Sequence, residues 1–306
     1  MNQQYTIAGL DLPDINPEDK LNRILSSALE KTNGYLINKS TSLAHYWDAN
    51  YFNLDKVQIF QDSTPAEQSS ILQLCNLGIL EEAYFIEKAG MGYMAKMILL
   101  AETISERMLY GLFAADEVTH FSQISSFLPT PKVSYNPFLD LLENVVESED
   151  KTVLLFVLQV VLEGWGLTHY RSIASCCQNP HLKSILQGFL QDESRHHATG
   201  VTLLENRSLG KSSQNIVEIL AMFLQMVQLG PQSVVKAVEQ VKGHLSKQDK
   251  INIFAQLDTE THSGSRLKLL RNLIDLPNAK NILENLEMKG SFQPLKPSQC
   301  VSFNCS

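Results

Sequence analysis

Two steps in this chain pair a carboxylate with an imidazole at helical spacing: Glu117-Val118-Thr119-His120 and Glu193-Ser194-Arg195-His196. Residues i and i+3 of a helix project from one face, so each step offers both side chains to a single metal ion. With 8 His in the chain, about half such a match is expected by chance, so two steps alone decide little. Their surroundings decide more. Each Glu follows an Asp, giving Asp116-Glu117 and Asp192-Glu193, and the interval from Glu87 to Glu117 equals that from Glu163 to Glu193. Superposing the two stretches also puts Ile86 on Leu162, Gly90 on Gly166, Leu109 on Ile185, Phe113 on Phe189 and His120 on His196. This is an internal repeat. Solvated helix acids with incidental histidines explain one such step, but not both at identical spacing within apolar runs such as FVLQVVLEGWGL. Four Glu and two His suit Fe or Mn, and two divalent ions balance four buried carboxylate charges.

Such a donor set needs helices that run past one another. Ser63-Thr64-Pro65-Ala66-Glu67 opens a helix with a hydroxyl cap, Pro at the first position and an acid in the first turn, and no Pro interrupts it before about Leu100. Thr103-Ile104-Ser105-Glu106 fits a capping box, so the chain turns at 100–103 and returns as a second helix to about Phe127. Residues 128–150 hold Pro129, Pro131 and Pro137, an amphipathic piece from Phe138 to Val146, and an acidic break, and read as a crossover. A third helix is expected from Lys151 to Cys177, a turn at Gln178-Asn179-Pro180, and a fourth helix to about Asn206. Facing residues of an antiparallel hairpin lie equally far from its turn. Glu163 and Glu193 centre on the Gln178–Pro180 turn, and Glu87 and Glu117 centre beside Thr103. At about 1.5 Å per residue each acid then sits roughly 20 Å from its loop.

The flanks are less informative. Asn16-Pro17-Glu18 opens a short helix ending near Asn33-Gly34, and residues 35–63 carry no clear pattern. Residues 213–288 read as four or five shorter helices punctuated by Gly230-Pro231, Gly243, Gly264 and Pro277, followed from Gly290 by an irregular tail. The expected organisation is an N-terminal extension with one short helix (1–63), a helical bundle (64–206), additional C-terminal helices packed on it (207–289) and the tail (290–306).

Composition bounds the function classes. The 306 residues are 44% hydrophobic with only 15 Gly and 11 Pro, which excludes a disordered or collagen-like chain. A net charge of −8 implies no basic face, so nucleic acid is not an expected partner. Five cysteines with no CxxC spacing write neither a zinc ribbon nor a rubredoxin-like iron site, and a reducing compartment is the simpler reading. The start, MNQQYTIAGLDLPD, lacks the basic residues and apolar stretch of a signal peptide. The longest apolar run, Val153 to Leu162, is broken by Gln159 and is about half of the roughly 20 residues a spanning helix needs. A soluble, cytoplasmic protein with no membrane partner is expected.

One Glu from each of two helices plus a Glu-x-x-His from each of the other two resembles the ferritin-like di-iron and di-manganese carboxylate proteins, over about residues 64–206. The resemblance implies an all-α fold: a ferritin-like four-helix bundle of two ExxH hairpins with a crossover, plus additional N- and C-terminal helices. It implies Glu87, Glu117, His120, Glu163, Glu193 and His196 as ligands of two Fe ions (or Mn, or one of each), with Asp116 and Asp192 accepting from the ligand imidazoles. Glu82 competes for the first-helix position; Glu87 is preferred because it preserves the repeat and centres the turn. The form Asp-Glu-Ser-Arg-His at 192–196 is most similar to the bacterial multicomponent monooxygenases and the ribonucleotide reductase small subunits. Ile124 stands where the reductases need a radical-forming Tyr, rubrerythrins carry a CxxC domain absent here, and ferritins are much shorter. What the resemblance then implies is an oxidase or oxygenase that activates O2 to hydroxylate, desaturate or N-oxygenate a small apolar or aromatic substrate, served by an electron donor and with homodimerisation as the common default. The alternative is a metal-handling ferroxidase or peroxide scavenger with no organic substrate; a helical scaffold with structural metals stands behind both. Gly90 and Gly166, each one turn beyond a proposed ligand, leave either space beside the metals or room for close helix packing. Tyr93 and His169 occupy matching positions in the repeat, and His197 points away from the ligand face.

Overall fold

The computed structural model describes residues 5–13, 16, 18–30, 45–128, 136–205 and 207–302, and among these the protein is helical with no strand. The helices are α1 (Lys20–Glu30), α2 (Gln58–Gln61), α3 (Pro65–Leu100), α4 (Ile104–Ser125), α5 (Pro137–Val146), α6 (Lys151–Cys176) and α7 (Pro180–Leu204). After them come α8 (Ser213–Gln228), α9 (Gln232–Lys242), α10 (Lys247–Gln256), α11 (Thr259–Ile274), α12 (Lys280–Met288) and α13 (Pro297–Ser302). The chain divides into two compact units, residues 1–43 with 79–154, and residues 44–78 with 155–306.

Side chains at the helix starts explain where the long elements begin. At α3 the Thr64 hydroxyl accepts from the Glu67 N–H at 3.3 Å, and the Glu67 carboxylate accepts from the Thr64 N–H at 2.8 Å. At α4 the Thr103 hydroxyl accepts from the Glu106 N–H, 3.1 Å, while the Glu106 side chain accepts from the Glu102 N–H. Asn179 accepts from both His181 and Leu182 at the head of α7, with Pro180 in the first turn. Each cap satisfies N–H groups that a helix start would otherwise leave bare.

In the first unit, the later part of α3 pairs antiparallel with α4: Tyr84 meets Phe121 with ring centroids 4.7 Å apart, and Glu87 meets His120. The N-terminal segment crosses α3 at Gly92, where any Cβ would collide with the Ile7 carbonyl, and Lys88 donates to the Leu10 and Leu12 carbonyls. At the base of the unit the buried Lys151 ammonium meets the buried Glu106 carboxylate and the Leu100 carbonyl.

The second unit is built on the α6–α7 hairpin, in which Tyr170 packs on Phe189 with centroids 5.5 Å apart. Residues 45–63, unassigned from sequence, are tied down by Asn76: its amide accepts from the Tyr46 and Trp47 N–H groups and donates to the Trp47 carbonyl. Trp47, fully buried, donates from its indole to the Ile173 carbonyl. The downstream region holds five helices, α8 to α12, with Pro277 and Gly230-Pro231 between them as expected. Gly264 is a correction: it lies inside α11, where its helical neighbours and the adjacent Pro294 outweigh its roughly 1 kcal/mol propensity cost. The stretch after Gly290 is not wholly irregular, since α13 carries the buried Cys300 and Val301 into the core with Phe254 and Val238. The Asn16 side chain accepts from the Glu18 N–H, but α1 starts later than expected, at Lys20, where Asp19 accepts from the Leu21 N–H; Pro17 and Asn33-Gly34 lie outside the described residues, as do Pro129 and Pro131 of the crossover.

Among the described residues one helix, α6, is long and apolar enough to cross a membrane by length and composition, and 61% of its most apolar window is buried inside the protein. The expectation from Val153–Leu162 alone missed this because the helix continues past Glu163 without a break. Burial of that extent is what a core helix shows.

Candidate metal site

The α3–α4 hairpin brings three of the expected donors together. Glu87, Glu117 and His120 are 1%, 5% and 1% exposed, and one ligand atom from each lies within 4.8 Å of the others. His120 Nδ1 is 3.2 Å from Glu87 Oε2. The intervals that place them are those of the sequence: Glu117 and His120 are one turn apart on α4, and Glu87 stands opposite on α3. The antiparallel pairing runs on to Gly90, whose missing Cβ leaves the volume that the Glu117 carboxylate fills; a Cβ there would lie 2.7 Å from Glu117 Cδ. Of the two readings weighed for Gly90, close packing holds, and what packs is the candidate ligand itself. Glu82, the competitor for this position, is half-buried and outside the cluster.

The α6–α7 hairpin repeats the arrangement. Glu163, Glu193 and His196 again each present an atom within 4.8 Å of the others, and His196 Nδ1 is 3.6 Å from Glu193 Oε2. Glu193 and His196 are buried, and Glu163 is half-buried. The repeat is not exact. Gly166, the counterpart of Gly90, would meet no atom within 4 Å if it carried a Cβ, so close packing does not explain it. The nine residues before Glu163, Leu154–Leu162, wind as a π-helix, a form found mostly as short insertions near functional sites.

Sequence reasoning missed Gln159. It sits in the π segment with no exposure, donates from Nε2 to the His196 carbonyl at 2.8 Å, and its own carbonyl accepts from His197 Nδ1 at 3.1 Å. Gly200 allows this approach: a Cβ there would lie 2.7 Å from Gln159 Cγ. The only available signal was a lone amide inside an otherwise apolar run. His197, set aside as pointing off the ligand face, is thus held by α6 backbone. Of the pair at matching positions in the repeat, Tyr93 is buried in the core, and His169 stacks on Trp165 with centroids 5.7 Å apart. Desolvation, and secondarily the charge of Arg266, push the His169 pKa down to about 4. Phe113 and Phe189 are fully buried core residues. Asp192 engages the Arg195 guanidinium, and Asp116 is half-buried.

The donor set fits a hard divalent ion. Two carboxylates held this close and out of water repel each other, and a divalent cation between them would offset that repulsion. A buried Glu/His cluster of this composition can hold a metal ion. The Cys75, Cys176, Cys177 and Cys300 thiols are free and belong to neither cluster, and Cys305 lies outside the described residues. No protein-family model, no curated protein and no solved structure matches this chain.

Proposed function

We propose that this chain is a di-iron oxidase or oxygenase of the ferritin-like carboxylate class, acting with O2 on a small, largely apolar or aromatic molecule. The observation that supports it is the repetition: two hairpins, each converging two Glu and one His in the order and spacing of that class. In this reading the hairpins pack as a four-helix bundle over residues 64–206. The triads Glu87, Glu117, His120 and Glu163, Glu193, His196 hold two Fe ions, or Mn in one or both places. Residues 1–63 are an N-terminal extension of that bundle, and 207–289 are additional C-terminal helices packed on it.

Bound there, two such ions supply the electrons and Lewis acidity that make O2 reactive. The chain's own residues supply the rest. The four carboxylates neutralise the ions and exclude weaker donors; the imidazoles present Nδ1 towards the carboxylates, which leaves Nε2 to donate a proton outward. Asp116 and Asp192 are the acceptors assigned to those imidazoles. Gln159 fixes the turn of α7 that carries His196. Phe113 and Phe189 keep water from the centre, and the volume at Gly166 gives a small molecule room beside Glu163. An electron donor is required for turnover, and free thiols with a net charge of −8 fit a reducing cytoplasm.

A second reading, a ferroxidase without organic substrate, draws on the half-exposure of Glu163, which gives an incoming ion an edge to approach. The test loads the protein anaerobically with Fe(II), then follows O2 uptake with and without a panel of small arenes and alkyl acids. Uptake tied to conversion of one of them supports the oxygenase. Uptake with accumulating Fe(III) alone supports the ferroxidase, and a loaded protein inert to O2 overturns both.

A further inference from the structure

Exposed apolar side chains are distributed unevenly. Among the described residues, every large hydrophobic one that stands well exposed belongs to the first unit, except Met222 and Met288. On α4, Ile104, Met108 and Leu112 are 73%, 64% and 64% exposed. Their spacing of four sets them in one row along the helix. Gly111 and Ala115 are exposed beside them, and from Ile104 to Ala115 the single exposed charge is Arg107. Helix α1 presents a second row, Leu21, Ile24 and Leu25, and buries only Leu29. The two rows meet: Leu25, Ala28 and Leu29 of α1 and Ala114, Ala115 and Val118 of α4 line one apolar cleft of about 290 Å³. A helix with an apolar face normally buries that face against its own fold. Here the face is turned outward.

We propose that this α1–α4 face is the interface of a homodimer, covered by a second copy of the chain. The apolar area of the two rows is on the order of 800 Å² per protomer, what a standard interface buries on each side. It also exceeds the few hundred Å² of contiguous apolar surface that a soluble monomer usually leaves bare. The row on α4 suits a two-fold contact, in which identical patches meet and each residue finds its counterpart's neighbour. Gly111, in the middle of that row, would meet no atom within 4 Å with a Cβ, so a partner helix can approach closely there. Charge disfavours a lipid surface: Lys20 and Arg23 of α1 are offset by Asp19 and Glu30, and the chain carries −8 overall, unlike a basic interfacial helix. The inference rests on the first unit alone and does not depend on the metal reading.

The test is the mass of the full chain in solution by light scattering, from submicromolar to tens of micromolar, for wild type, Met108→Glu, Leu112→Glu and Met222→Glu. Wild type is expected at twice the 34.3 kDa chain mass. Met108→Glu and Leu112→Glu are expected to keep the wild-type helical circular dichroism and to dissociate, weakening the dimer by about 100-fold or more. Met222→Glu, exposed on α8, is expected to stay dimeric. A wild-type protein at single-chain mass throughout, or a dimer indifferent to both α4 substitutions, overturns the proposal. So does a single-chain protein that co-sediments with anionic phosphatidylserine vesicles, since that assigns the face to lipid.

Discussion

Gly90 and Gly166 hold equivalent places in the repeat and have opposite surroundings, which makes them a matched pair for testing what the first cluster needs. A methyl group at Gly90 collides with the Glu117 carboxylate, whereas one at Gly166 meets open space. Gly90→Ala is therefore expected to displace Glu117 and reduce metal bound per chain, despite the better helix propensity of Ala. Gly166→Ala is expected to keep the metal and gain up to about 1 kcal/mol of stability. Metal analysis and chemical denaturation of the two variants read this directly; equal metal content in both would contradict it. His169 supplies a pH signature. Its folded-state pKa, about 4, lies below the ordinary value of 6.5, so the neutral ring is the form that the fold favours. Its contribution is fully present above about pH 6.5 and is lost as pH falls towards 4, because the unfolded chain takes up the proton first. Thermal melts across that window are expected to fall less steeply for His169→Gln than for wild type. Parallel curves would show that His169 does not carry the acid sensitivity.

At the scale of elements, the starts were legible because they are local chemistry. Thr64, Thr103 and Asn179 each bond an N–H within three residues of themselves, and Pro65 and Pro180 need no N–H at the first position. The π winding of Leu154–Leu162 was not legible: eight apolar residues around one Gln carry no preference between α and π, and the partner that Gln159 finds on α7 lies far along the chain. Gly264 misled for the converse reason, since a glycine signals a break only where packing does not hold the helix. The Lys151–Glu106 pair joins the start of α6 to the start of α4 with both charges buried, and sequence gave no sign of it because the partners are far apart in the chain. Removing one partner strands the other. Lys151→Met is expected to cost about 3–5 kcal/mol in urea denaturation. Adding Glu106→Gln should recover a good part of that loss; if the double variant is as damaged as the single one, the ion pair is not what holds the junction.

At the scale of the whole molecule, the site was more legible than the fold around it. The two Glu-x-x-His steps and their upstream Glu residues lie on regular helices, where spacing translates directly into which side chains share a face. Each hairpin accordingly gathers its own Glu, Glu and His. What surrounds them rests on contacts between distant segments, such as the N-terminal strip against Gly92, Asn76 against Trp47, and α13 against Phe254, and periodicity does not encode such pairings. The central claim is that both triads serve metal. Iron and manganese per chain, measured after anaerobic loading and desalting, test it most directly in wild type, Glu193→Ala, Glu87→Ala and Glu82→Ala. The account predicts about two ions per wild-type chain, loss with Glu193→Ala, reduction with Glu87→Ala and no change with Glu82→Ala. A wild-type chain that retains no metal, or one that loses it with Glu82→Ala but not with Glu87→Ala, would contradict the site as drawn.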